Sequence, residues 1–213
     1  MQAPAAIASL SIRGKPVMRN IHTTLFLLSF TPVCLAAEAI PDKDIPAEVK
    51  PFIEHNTVAI AVHDIDLNGD GQADYLLVLE KKNAATDDGQ RPLLLLIRQP
   101  GGALKLVKRN DRIVLCPRCG GAFGDPLESL SVGPKNFSVN HYGGSAWRWN
   151  NSYKFNYSRR DNTWQLVRVE EGSFNANDPD KTMKHKVFTP PKDFGKIDIA
   201  DFDPENYRGR GEK

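Results

Sequence analysis

The chain predicts a mainly β protein, an antiparallel sheet or sandwich with one short N-terminal helix. From about residue 57 it breaks into short apolar or alternating runs rather than helical periods. Gly, Pro, Asn and Asp fill the gaps, as in Gln99-Pro100-Gly101-Gly102, Gly133-Pro134-Lys135 and Arg160-Asp161-Asn162. Several gaps are short enough for hairpin turns.

Residues 1–39 read as a secretory signal. Arg19 precedes an apolar run over 24–37, and Ala37-Glu38-Ala39 supplies a small-residue exit. Met18 offers a more compact start. The run is shorter than the roughly 20 apolar residues a spanning helix needs, so stable membrane insertion is not expected. The expected location is the periplasm or the exterior. Of 28 basic and 26 acidic residues, three basic and one acidic lie in this leader, which leaves 25 of each. A neutral remainder gives no electrostatic reason to expect nucleic acid as a partner.

A β-rich domain is expected over residues 40–189. A short helix over 46–54 opens on Pro46. The expected strands then run Val58–His63, Tyr75–Glu80, Leu93–Arg98, Leu104–Lys108 and Ile113–Cys116. Next come Ser129–Val132, Asn136–His141, Trp147–Tyr157, Trp164–Glu170 and Met183–Phe188. Leu93–Ile97 is apolar at every position, as in a strand covered on both faces. In Trp147–Tyr157 the residues Trp147, Trp149, Tyr153, Phe155 and Tyr157 share one parity, which predicts one buried and one wet face. The segment 190–213, rich in Pro, Gly and charge, is expected to be an extended, loosely held tail.

The strongest motif is Asp64-Ile-Asp66-Leu-Asn68-Gly69-Asp70-Gly71-Gln72-Ala-Asp74. Closely spaced oxygen side chains in a glycine-bent loop suit a hard cation such as calcium, which takes six to eight oxygen ligands. An EF-hand register from Asp64 puts Tyr75 where the bidentate Glu belongs, and it needs flanking helices where strands are expected. The register from Asp66 places Asp66, Asn68, Asp70 and Asp74 at positions one, three, five and nine, followed by the apolar run Tyr75–Leu79. This resembles the calcium loop of FG-GAP and VCBS repeats. The resemblance implies a structural Ca2+ held by Asp66, Asn68, Asp70, Asp74 and the Gln72 carbonyl, with Asp64 as an auxiliary acid. One copy implies a strand–loop–strand corner and not a propeller. The competing reading is a hairpin turn without metal.

Cys116-Pro-Arg-Cys119-Gly-Gly admits a short structural disulfide, half a zinc site completed by His141 or His185, or a redox pair. No second cysteine pair exists to complete a zinc site, and the glycines argue against the helix a redox pair opens. The disulfide, in an oxidising compartment, is the favoured reading.

The block from Cys119 to Trp149 is similar to segments of poorly characterised secreted bacterial proteins, a resemblance that brings no activity with it. Within it, His141, Tyr142, Trp147, Arg148 and Trp149 read either as hairpin core or as a partner-binding surface, since Trp, Tyr and Arg dominate interface energetics. Sugar stacking is a further reading. A hydrolase alternative combines His141, Ser145 and Asp125, although Gly144-Ser145-Ala146 lacks the G-x-S-x-G elbow. The functional expectation is a non-catalytic, calcium-binding protein that engages a macromolecular partner. Inhibition of, or immunity to, a toxin or hydrolase is its concrete form. A purely structural calcium-stabilised domain is the other alternative.

Overall fold

The computed structural model describes residues 38–82 and 89–211; the expected leader, through residue 37, lies outside them. Nine strands form two antiparallel sheets. The first sheet is β1 (Thr57–Ile65), β2 (Asp74–Lys81), β3 (Arg91–Arg98) and β4 (Leu104–Val114), in that order. The second is β5 (Leu127–Gly133), β6 (Asn136–Gly144), β7 (Trp147–Ser158), β8 (Thr163–Asn175) and β9 (Lys184–Phe188), also in chain order. The expected mainly β architecture is therefore present. Among the described residues no helix is long and apolar enough to cross a membrane.

The main core lies between the sheets. Leu76, Val78, Leu93 and Leu95 meet Phe137, Val139, Phe155 and Leu166, all almost fully buried. The opposite face of the first sheet, with Leu77, Leu79, Leu94 and Leu96, is covered by Ile45 and Val49 of the N-terminal segment. Side chains alternate across a strand, so two covered faces require an unbroken apolar run. This accounts for Leu93–Ile97 and for Tyr75–Leu79.

Four expectations need correction. The helix over 46–54 is instead a single 3-10 turn, Lys50–Phe52, preceded by another at Asp42–Asp44. The bonds run three residues back, from Val49 N–H to the Pro46 carbonyl and from Phe52 N–H to that of Val49. Pro51 lacks the N–H that an α-helix would use.

Leu104–Lys108 and Ile113–Val114 belong to one strand, β4, which ends before Leu115 and Cys116. The polar stretch between them carries a bulge at Asn110, buried at 2% exposure. Its amide donates to the carbonyls of Ile199 and Phe202 and accepts from the backbone of Arg112 and Ile113. A fully satisfied asparagine can sit in a core.

Through residue 211 the tail is not loosely held. Phe194, Ile197, Ile199, Phe202 and Tyr207 are core residues. Leu166 N–H bonds the Ile197 carbonyl and Ile199 N–H bonds that of Trp164, so the tail lies against β8. Its alternating apolar residues provide the driving force despite the charge around them.

On β7, Tyr153 and Phe155 are buried, but Trp147 is 54% exposed. The β7–β8 hairpin has strands of 12 and 13 residues against 8 each for β2 and β3. The longer ribbon outruns the sheet that would cover it.

Candidate functional site

The acidic loop joins β1 to β2 and is fixed from below. Leu67 is fully buried in the core, its carbonyl accepts from the Trp164 indole at 2.9 Å, and the Asp66 carbonyl accepts from Lys135 N–H at 2.9 Å. Trp164 and Lys135 both belong to the second-sheet half, so the loop ties the two sheets together.

Its side chains shape the turn. Asp66 accepts from Gly69 N–H at 2.6 Å and Gly71 N–H at 3.0 Å. Asn68 accepts from Asp70 N–H, and Asp70 accepts from Gln72 N–H at 2.8 Å. Asp74 is fully buried; one oxygen accepts from Leu67 N–H and the other from Arg98 N–H, each at 2.9 Å. Burial, and then the charges of Asp70 and Asp66, push its carboxyl above the usual range against those two hydrogen bonds. Gly69 has φ of +79°, and a Cβ there would lie 2.1 Å from Cε of Lys135. The positive φ favours glycine here, whereas the Lys135 side chain could swing aside.

These residues fit a hard cation as an open set. Asp74 feels the charges of Asp70 and Asp66, the Asp oxygens retain lone pairs beside their N–H partners, and the carbonyl of half-buried Gln72 accepts no backbone hydrogen bond among the described residues. Among the described residues, no three His, Cys, Asp or Glu side chains close into a preformed cluster. Asp64, exposed at the end of β1, acts by its charge on Tyr75 and Arg98 beside Glu48.

Cys116 and Cys119 are joined as a disulfide, with Cα atoms 5.2 Å apart. Their bond leaves no thiolate for zinc. His185, 53% exposed, pairs with Glu170 at 3.1 Å.

The disulfide loop packs on the β6–β7 hairpin. Gly121 bridges Gly144, and a Cβ on Gly143 would meet the Trp149 ring at 2.6 Å and Gly120 Cα at 3.0 Å. At the tip, Arg148 lies over the Phe123 ring at 4.0 Å, and Tyr142 meets Phe123 edge-on at 5.3 Å. Tyr142, Trp147, Arg148 and Trp149 therefore gather at one end with Trp147 outermost.

His141 does not belong to that surface. It is fully buried, with Nε2 accepting from Leu115 N–H at 3.3 Å and Nδ1 without a partner among the described residues. Burial lowers its pKa to about 4. His141, Ser145 and Asp125 are not joined by hydrogen bonds among the described residues. Asp125 binds the Arg91 guanidinium through both oxygens at 2.6 Å, and Ser145 lies exposed in the hairpin turn.

Arg91 was not singled out by its sequence position. It is fully buried, held by Glu80 and Asp125, and donates to the Leu115 carbonyl. The available signal was a charged residue opening an unbroken apolar run, Arg91-Pro92-Leu93-Leu94-Leu95-Leu96. A buried cation demands paired carboxylates, and their identity depends on the fold.

No family model, no curated protein and no solved structure matches this chain.

Proposed function

We propose that the chain is an exported, non-catalytic β-sandwich, stiffened by one structural calcium ion, that engages a protein partner through its aromatic hairpin. Inhibition of a toxin or hydrolase, or immunity to it, is the concrete form. The observation that carries the reading is Trp147, 54% exposed at the end of a long hairpin whose other aromatics are already packed. Arg148 is held on Phe123, so the ordering cost of presenting these groups is met before contact. When bound, the ion neutralises the acids of the β1–β2 loop. The chain's own contribution is the anchoring of that loop through Leu67, Trp164 and Lys135.

The test uses immobilised chain challenged with extract from the compartment it is exported to. A protein retained by the native chain and lost with Trp147→Ala and Arg148→Ala is the expected result. Equal retention by native and variant chains, or none, rejects the partner surface. Calorimetry on chelator-stripped chain addresses the ion separately: absence of heat with calcium, together with unchanged melting, rejects that half.

A further inference from the structure

A cleft of about 470 Å3 opens beside the acidic loop, between the β3–β4 turn and the β7–β8 turn. That is within the range of small-ligand sites, roughly 300–1,000 Å3. Ile97, Val107 and Trp164 supply its apolar lining, and Tyr157 packs on Trp164 with ring centroids 4.9 Å apart.

Three cations line it, and two are committed. Arg98 binds both Glu48 oxygens at 2.7 Å and the carbonyls of Ala73 and Gly102 at 2.9 Å. Lys108 binds Asp198 at 2.7 Å. Lys105 forms no ion pair or hydrogen bond through its ammonium group among the described residues, and it is exposed.

The amides are pre-oriented. The Tyr157 hydroxyl donates to Asn162 Oδ1 at 2.6 Å, which leaves the Asn162 amide N–H groups open. Gln99 donates to the Ile97 carbonyl at 3.1 Å, which leaves its own side-chain oxygen open as an acceptor. The cleft thus offers one uncompensated cation, one amide donor and one amide acceptor against a partly aromatic wall. Asp70, which also lines the cleft, disfavours a dianion. A phosphate would seek several cations or a nest of backbone N–H groups; a single carboxylate needs one.

From this complement we infer that the cleft binds an acidic sugar. Its carboxylate pairs with Lys105, its hydroxyls meet Asn162 and Gln99, and the apolar face of its ring lies against Tyr157. The inference goes beyond the calcium loop and the hairpin; because Asn68 and Asp70 of that loop also line the cleft, it is tested with the loop free of calcium.

The test titrates the purified full chain, in chelator, with digalacturonate and with the neutral disaccharide galactobiose, followed by calorimetry. Digalacturonate is expected to bind at least about tenfold more tightly than the neutral sugar, the scale of one charge-assisted contact. Lys105→Gln should remove most of that preference. Asn162→Gly should weaken both sugars several-fold, because glycine tolerates the positive φ of 50° at this turn while removing the amide. Both variants should melt as the native chain does. No binding of digalacturonate by folded chain, equal affinity for the two sugars, or an unchanged preference in folded Lys105→Gln would overturn the inference.

Discussion

At one end of β7, Tyr157 packs beside the acidic loop; at the other, about 33 Å away at strand rise, Trp147 stands in solvent. The loop end is held by buried Leu67 and the Trp164 indole, which join the two sheets, and within the first sheet by the Asp74 carboxylate, which ties the loop to β3. The hairpin end carries Trp147 out of the core, 54% exposed. It is held by glycine contacts, a four-residue disulfide loop and a buried guanidinium with its carboxylates. The difference teaches that a β-sandwich end can present polar groups when core side chains anchor its backbone. An end without core beneath it relies on covalent and ionic ties to keep aromatics in place.

The comparison can be broken hardest at Arg91. Arg91→Met removes the buried guanidinium from the carboxylates of Asp125 and Glu80, and loss of one member of a buried pair costs about 3–5 kcal/mol. Urea unfolding should record that loss, whereas Arg98→Met, whose Glu48 partner is exposed, should cost under about 1 kcal/mol in the same experiment.

Acid should sharpen the contrast through His141. Its folded pKa of about 4 lies below the ordinary 6.5, because burial opposes the charged ring. The unfolded chain therefore binds this proton first. The stability associated with neutral His141 is intact above pH 6.5 and is lost as pH falls toward 4, by up to about 3 kcal/mol. Chemical denaturation at pH 7 and pH 4.5 should show a fall that His141→Phe reduces. An equal fall in the variant would assign the acid sensitivity elsewhere.

Calcium should act at the loop end only. At a hundredfold excess over Kd, a bound ion adds about 2.7 kcal/mol. Asp66→Asn with Asp70→Asn should abolish the calcium-dependent rise in Tm. Reduction of Cys116–Cys119 should act at the other end only, by about 2 kcal/mol for so short a loop. Equal responses of both ends to both treatments, read by residue-resolved hydrogen exchange, would dissolve the distinction. The smallest effect on stability is expected at Trp147, where Ala should change unfolding free energy by less than about 0.5 kcal/mol; its loss should be felt in partner retention alone.

Most strands could be read from sequence because their apolar alternation, or its absence, follows from how many faces are covered. The acidic loop was legible for a local reason: its ligand spacing and glycines lie within nine residues, Asp66 to Asp74. Cys116 and Cys119 were legible likewise. The exclusion of His141 from the surface was not, since period-two patterning places a side chain on a face without saying what covers it. The Arg91–Asp125 pair spans 34 residues and Asn110–Phe202 spans 92. No local pattern encodes such partners.

By itself, the sequence determined the β class, the hairpin order, the disulfide spacing and the oxygen-rich turn, all consequences of side-chain alternation and short-range backbone geometry. Only the tertiary structure decided that residues 190–211 complete the core, that His141 is sealed, and that Lys105, Asn162 and Gln99 share a cleft. Burial and charge pairing are sums over neighbours distant in the chain, and those neighbours are assigned only when the two sheets close on one another.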